Sequence, residues 1–274
     1  MPAAKPEPHL WSDGSLTGSC LGHSTVLMNF LGVRVLTDPV FSTRVGPGLP
    51  PFVVGPKRYL RPALRLREIP APDVVFLSHA HFDHFDRATL RKFSRETLIV
   101  TARETADLLR RRFRRVHEIG WGETITLATR NGPLRVTGLE VEHWGARMLR
   151  DAHRGYNGYL LERGGATVCF AGDTAYTPAF GRLRHQRRSI DLMLMPIGAY
   201  DPWIRAHCSP EQAVTMANQA GAQYFVPIHH ETFKLSHEPM HEPADRLREA
   251  LAHEPERLLA VSVGETFRVP LRAA

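Results

Sequence analysis

One stretch limits this chain more than any other: Val74-Val75-Phe76-Leu77-Ser78-His79-Ala80-His81-Phe82-Asp83-His84. Its opening is a continuous apolar run, the pattern of a short buried strand. Three histidines and an aspartate then fall within six positions. Imidazole and carboxylate groups are natural ligands for zinc and related divalent ions, and a loop leaving a strand can aim them into one pocket. A lone histidine there would ordinarily be a core or surface residue. The spacing His-x-His-x-Asp-His is a metal-binding signature.

The rest of the chain supplies strands to carry such a loop. Apolar, β-branched runs recur at 26–30, 33–37, 74–78, 98–101, 134–141, 156–161, 167–171, 191–196, 223–228 and 258–262. Ser209-Pro210-Glu211-Gln212 reads as a helix start, with Ser as N-cap, Pro at N1 and Gln three residues after the cap. Gly221 is the expected stop. A second helix is expected over 243–253, and a third beginning near Glu104 and ending in Arg110-Arg111-Arg112-Phe113-Arg114-Arg115. Strands dominate early and helices later, which predicts an α/β domain with helices packed outside sheets. At 274 residues, 43% hydrophobic and 23% charged, the chain can bury a full core as a single domain. Residues 1–15 are expected to be a loose, Pro-rich N-terminal tail and 16–274 the single folded domain. Gly46-Pro47-Gly48-Leu49-Pro50-Pro51-Phe52-Val53-Val54-Gly55-Pro56 is a long Pro/Gly loop, a type often functional, and it carries apolar residues.

No apolar run approaches the roughly 20 residues of a membrane-spanning helix. Met1-Pro2-Ala3-Ala4-Lys5-Pro6-Glu7-Pro8 lacks the apolar core of a signal peptide. Cys20, Cys169 and Cys208 are too few and scattered for a disulfide framework. The expected compartment is the cytoplasm. Lys and Arg number 35 against 28 Asp and Glu, a net charge of +7 that favours anionic partners without choosing among them. The arginine run reads as a solvated helix face with its cations at the C-terminal dipole.

The 79–84 signature resembles that of the metallo-β-lactamase superfamily. The resemblance implies an αβ/βα four-layer sandwich with its site at one edge between two sheets. It also implies that His79 and His81 bind a first metal and that Asp83 and His84 bind a second. In the family's order along the chain, His143 in Val141-Glu142-His143-Trp144 matches the first metal's third ligand. Asp173 in Phe170-Ala171-Gly172-Asp173-Thr174 matches the bridging carboxylate, and His229 in Pro227-Ile228-His229-His230 the second metal's last ligand. His229 is chosen over His230 because Ile228-His229-x-x-Thr232-Phe233 resembles a motif in which the first position ligates; His230 is left without a role. Two zinc ions are implied, with manganese or iron as other divalent choices. Such a pair can lower a bridging water's pKa from roughly 15.7 toward 7. Asp83 could also orient the resulting hydroxide.

Further motifs resemble the N-acyl-phosphatidylethanolamine-hydrolysing phospholipase D family. They are Thr37-Asp38-Pro39-Val40-Phe41-Ser42, Gly55-Pro56-Lys57-Arg58-Tyr59, Ala171-Gly172-Asp173-Thr174-Ala175-Tyr176 and Pro196-Ile197-Gly198-Ala199-Tyr200-Asp201-Pro202. That resemblance implies a phosphodiester substrate such as an N-acylated phosphatidylethanolamine. His207 matches a family histidine beside the substrate, able to hydrogen-bond a phosphate or protonate a leaving alkoxide. It reads equally as a loop residue ahead of the Ser209 cap. Lys57 and Arg58 are expected to add positive field at the substrate, and the 46–56 loop to touch acyl chains or a bilayer or to fold onto the core. Peripheral membrane contact and a homodimer stay open. A lactonase or small-phosphodiester hydrolase is the competing enzyme; an RNA nuclease and a non-catalytic metal-binding protein rank below, and no nucleic-acid partner is expected.

Overall fold

The structure, a computed structural model, describes residues 1–48, 52–148, 150–186 and 189–271. Leu49, Pro50 and Pro51 of the apolar loop and 272–274 of the expected domain lie outside the described residues.

The first sheet holds β1 (Leu16–Gly22), β2 (Thr25–Phe30), β3 (Val33–Thr37), β4 (Val74–Leu77), β5 (Leu98–Ala102) and β6 (Arg115–Ile119). The second holds β7 (Thr124–Thr129), β8 (Gly132–Leu139), β9 (Gly158–Arg163), β10 (Ala166–Phe170), β11 (Ile190–Pro196) and β12 (Ala222–Ile228). A last strand, β13 (Thr266–Arg268), returns to the first sheet, giving orders β13-β1-β2-β3-β4-β5-β6 and β12-β11-β10-β9-β8-β7. Hairpins make β1 to β3 antiparallel, whereas β3 to β6 run parallel. The second sheet mirrors this, antiparallel from β7 to β10 and parallel from β10 to β12.

Side-chain alternation explains the layers. Along β11, Leu192 and Leu194 face a core shared with Phe76, Val100 and Val35 of the other sheet. Met193 and Met195 face outward onto Ala213, Met216 and Ala217. Those belong to α3 (Pro210–Ala220), which lies with α2 (Ala179–Gln186) and α4 (Glu242–Ala250) outside the second sheet. The cover of the first sheet is thinner: α1 (Arg87–Leu90) and the Leu109 and Phe113 side chains close over Val75, Leu77 and Ile99. Central strands are thus buried on both faces, which is why they read as unbroken apolar runs.

Ser209 caps α3 through Gln212 in a reciprocal capping box, and Gly221 ends it at φ 73. The helix expected from Glu104 does not form. A single 3₁₀ turn over Ala106–Leu108 is followed by turns, and Arg115 opens the edge strand β6. Leu109 and Phe113 anchor that segment, so its apolar spacing reports a packed turn, not a helix face. Residues 258–262 form no strand; only Leu258 bridges, to Phe225. Among residues 1–15, Ala3 N–H donates to Val263 O at 2.9 Å, Lys5 pairs with Glu68 at 2.8 Å and Pro8–Leu10 form a 3₁₀ turn.

Candidate metal centre

The parallel strands end on one edge, and loops leaving them deliver the polar groups. After β4, Ser78 is fixed by Asp38, which follows β3: Ser78 N–H donates to Asp38 Oδ1 at 2.8 Å and Ser78 Oγ–H to Oδ2 at 2.6 Å. The chain then turns tightly, with Phe85 N–H donating to His81 O at 2.8 Å. After β10, Gly172 crosses close beneath this loop at φ 62. A Cβ there would meet Ser78 Cβ at 2.8 Å and Asn157 O at 2.9 Å, so only glycine brings Asp173 in. His143 and His229 follow β8 and β12.

Hydrogen bonds at the far side of each ring decide which nitrogen faces inward. Ser78 Oγ, its own proton given to Asp38, accepts His79 Nδ1–H at 2.8 Å and leaves His79 Nε2 bare. His143 Nδ1–H donates to Ala206 O at 2.7 Å, leaving His143 Nε2 bare. Both point at His81 Nδ1, at 2.7 and 3.2 Å respectively. Three imidazole nitrogens therefore converge with at most one proton among them. Burial foremost holds His79 well below the ordinary imidazole value and His143 at about 3. Neutral lone pairs aimed at one point suit a cation and little else.

A second group, His23, Asp83, His84 and His229, also places its ligand atoms within 4.8 Å of one another. His84 Nδ1–H donates to the fully buried Asp38 Oδ2 at 2.7 Å, turning Nε2 inward. Asp173 Oδ2 lies between the groups: 3.1 Å from His84 Nε2 and from His229 Nε2, 3.8 Å from His143 Nε2 and 3.9 Å from His79 Nε2. Burial works against every charge here, yet Asp173, Asp83 and Asp38 together hold His84 well above its ordinary value. Asp173 and Asp83 likewise outweigh burial at His229, raising it to about 9. Asp173 Oδ1, His81 Nε2 and His84 Nε2 are buried without hydrogen-bond partners. Buried polar atoms are normally paired, so this donor set fits divalent cations.

All seven residues expected as ligands are thus brought to one edge. His207 joins them, its Nδ1 unpartnered and 3.9 Å from Asp173 Oδ2, and burial first of all holds its ring at about 4. His230 instead lines a small cavity with His229, Glu238 and Met240 and joins none of the groups among the described residues that could hold a cation. A cleft of about 450 Å³ opens over the centre, lined by Val45, Phe82, Asp83, Trp144, Trp203, His207 and Leu235, with Arg147 as the one cationic side chain among its described lining residues. Lys57 and Arg58 do not line it. The Arg58 guanidinium is spent on Val40 O and Ser42 O and packs over Phe233, while Lys57 sits exposed in a bridge to Arg44. On the sequence His23 and Arg147 went unseen, and Asp38 had only a motif and no role. The Gly22-His23-Ser24 stretch just before the apolar run at 26–30 offers the sequence only a turn-like signal for His23. Phe52 (82% exposed), Val54 (71%), Trp144 and Trp203 are exposed apolar side chains of the loops near the mouth.

A family model described as a β-lactamase superfamily domain matches residues 33–230, well over half of the chain. The chain belongs to the β-lactamase superfamily. Its two-sheet sandwich is the metallo-β-lactamase fold expected from the sequence. Among superfamily relatives, an uncharacterized protein of Mycobacterium tuberculosis is 33% identical over 280 residues, covering 99% of this chain and 71% of that protein. The N-acyl-phosphatidylethanolamine-hydrolyzing phospholipase D 1 of Caenorhabditis elegans is 29% identical over 257 residues, 88% of this chain and 71% of that protein. Igni18, a metallo hydrolase from the archaeon Ignicoccus hospitalis, superposes with a TM-score of 0.70 at 20% identity, over 94% of this chain and all of that one.

Proposed function

We propose that this chain is a metal-dependent hydrolase that holds two divalent cations, zinc by the chemistry of its donors, and cleaves a phosphodiester of an amphiphile. The observation that carries this is Asp173 Oδ2, set between two groups of inward-facing nitrogens. His79, His81 and His143 would hold one cation and Asp83, His84 and His229 the other, with Asp173 shared. Such a pair supplies Lewis acidity, lowering a water's pKa and offsetting charge on the attacked group.

The chain's own residues define the rest. Asp83, on the cleft wall, accepts hydrogen bonds only and orients a nucleophile's O–H. His207, with an unpartnered ring nitrogen on the same wall, is placed to hydrogen-bond a phosphate oxygen. Arg147, held by Ala80 O and Phe85 O and stacked on Phe82, adds positive field to the cleft wall. The apolar lining and the exposed side chains at the mouth suit acyl chains and a membrane surface. No helix among the described residues is long and apolar enough to cross a membrane. The named activity of the Caenorhabditis elegans relative supports an N-acylated phosphatidylethanolamine as the substrate class.

The test is metal analysis of purified protein, followed by assays on bis(p-nitrophenyl) phosphate, an acyl-homoserine lactone and vesicles containing N-acylated phosphatidylethanolamine. Two cations per chain and phosphodiester cleavage are expected. Asp173→Asn should reduce cleavage by on the order of 10²–10³-fold, as loss of a key electrostatic group does. Lactone opening without phosphodiester cleavage would overturn the substrate class.

A further inference from the structure

His23 belongs to no expected ligand set, yet its ring, 1% exposed, is wedged into the second group. It occupies the short turn between β1 and β2 at φ 57, a left-handed conformation that a β-carbon disfavours. Such outliers persist where the surroundings over-determine them, and they gather at functional sites. The surroundings here are specific. His23 N–H donates to Thr232 Oγ1 at 2.6 Å, and His23 O accepts from His229 N–H at 3.2 Å. The ring centroid is 4.1 Å from that of His229, 5.1 Å from that of His84 and, in a T-shaped contact, 5.2 Å from that of Phe233.

His23 Nε2 lies 3.0 Å from Asp83 Oδ2. An ionised carboxylate only accepts, so Nε2 carries the proton and is committed to Asp83. The other nitrogen, Nδ1, is buried without a partner and faces no carboxylate. Asp83 needs such a tether. Its side chain is 16% exposed on the cleft wall, and its Oδ2 stands 3.5 Å from His229 Nε2 and 3.6 Å from His84 Nε2. Rotation about the last side-chain bond of an aspartate is soft, so an untethered Asp83 would turn toward water in the cleft.

We infer that His23 is a positioning residue that holds Asp83 in place for the second cation through Nε2–H···Oδ2. This rests on the two-cation reading. Partners that orient a metal ligand from behind typically change affinity by about 10–100-fold when removed. The effect should fall on one cation only, because His79, His81 and His143 make no hydrogen bond to His23.

The test is stepwise Zn²⁺ titration of metal-free protein against a chromophoric chelator, with Co²⁺ absorption as a second readout. The wild type should take up two cations in separable steps. His23→Leu should keep the first step and weaken the second by about 10–100-fold. His23→Gln, whose amide N–H reaches the place of Nε2–H, should restore most of the loss. An unchanged second step in His23→Leu, equal weakening of both steps, or a glutamine no better than leucine would each overturn the inference alone. A wild type that binds fewer than two cations overturns the two-cation reading and this inference with it. Should the leucine chain not fold, the ring ¹⁵N shifts of wild-type protein, assigned by their loss in His23→Gln, decide. The Nε2–H tautomer is expected, and an Nδ1–H tautomer would overturn the proposed bond.

Discussion

Asp38→Asn changes one atom type, opens no cavity, and should disable cation binding through two rings at once. In the native protein, Asp38 Oδ2 accepts from Ser78 Oγ–H and His84 Nδ1–H, while Oδ1 accepts from Ser78 N–H. Asparagine can keep its oxygen in only one of those places. With oxygen at the Oδ1 position, the amide N–H₂ faces His84 Nδ1 and Ser78 Oγ. His84 must then accept at Nδ1 and carry its proton on Nε2, the atom that faces Asp173. Ser78 Oγ, now an acceptor of the amide, turns its own proton toward His79 Nδ1, and His79 also acquires an inward N–H. With oxygen at the Oδ2 position both rings keep their native tautomers, but the amide N–H₂ confronts Ser78 N–H. That leaves two buried donors unmet, at about 1–3 kcal/mol each.

The metal-free variant adopts the first arrangement and cation binding forces the second. The cost is therefore charged to binding, about 2–6 kcal/mol for the two donors, or roughly 30- to 20,000-fold in affinity. One effect opposes it. His84 is held well above its ordinary value, against its burial, by Asp173, Asp83 and Asp38, so cation uptake displaces a proton. Removing one carboxylate charge eases that displacement. The opposition fades as pH rises, so the gap between variant and wild type should widen toward alkaline pH. The assay is chelator-competition titration at two pH values, beside thermal unfolding of the metal-free proteins. Unchanged affinity for both cations would refute the tautomer argument. So would a gap that narrows as pH rises.

Two further outcomes follow from the same geometry. His229→Ala should lose the second cation while His230→Ala keeps it, because His229 Nε2 lies 3.1 Å from Asp173 Oδ2 and His230 joins none of the donor groups among the described residues; metal stoichiometry of the two variants checks this, and the reverse result would shift the site by one residue. Replacing Phe52 and Val54 together with serine should slow hydrolysis of vesicle lipid several-fold and spare a soluble phosphodiester, since both side chains are exposed and surface changes of this kind usually move stability by about 0.5 kcal/mol or less; equal losses on both substrates would mean that the loop supports the fold.

Legibility in the sequence followed burial. The run at 33–37 coincides with β3, and 191–196 falls one residue short of β11, because strands buried on both faces carry their own signal. Leu16–Gly22 carries none: Thr17-Gly18-Ser19-Cys20 is small and polar, and the strand exists because partners demand it. A Cβ on Gly18 would come within 2.6 Å of Phe267 Cζ and 2.8 Å of Leu27 O, so the position is set by its hairpin partner β2 and by β13, far away in sequence. β6 alternates exposed and partly buried residues at a sheet edge, and the arginine run leading into Arg115 has the look of a helix face. The same division holds at the site. Clustered ligands after strands were visible as a pattern. Asp38, His23 and Arg147 each act through contacts whose partners lie elsewhere in the chain, and no local pattern announces such contacts. The Arg147 guanidinium donates to Ala80 O and Phe85 O, both within the ligand loop, and stacks on Phe82 at 4.0 Å.

The candidate ligands are also divided between the sheets. His79, His81, Asp83 and His84 follow β4 of the first; His143, Asp173 and His229 follow β8, β10 and β12 of the second. Each group of donors therefore spans the seam, and neither sheet alone can form one. The seam is fastened at this same edge by the bonds of the His23 turn to Thr232 and His229. Left-handed non-glycine residues gather there too: His23, Asp38, Ala199, His229 and Glu231. Each such residue costs on the order of 1–3 kcal/mol and persists only where its surroundings hold it. The surrounding core supplies that hold, with Val26, Phe76, Phe170 and Ile228 fully buried at the strand ends that lead into the site. The centre is thus strained by the geometry that aligns its donors, and the apolar packing between the sheets keeps that geometry in place before any cation arrives.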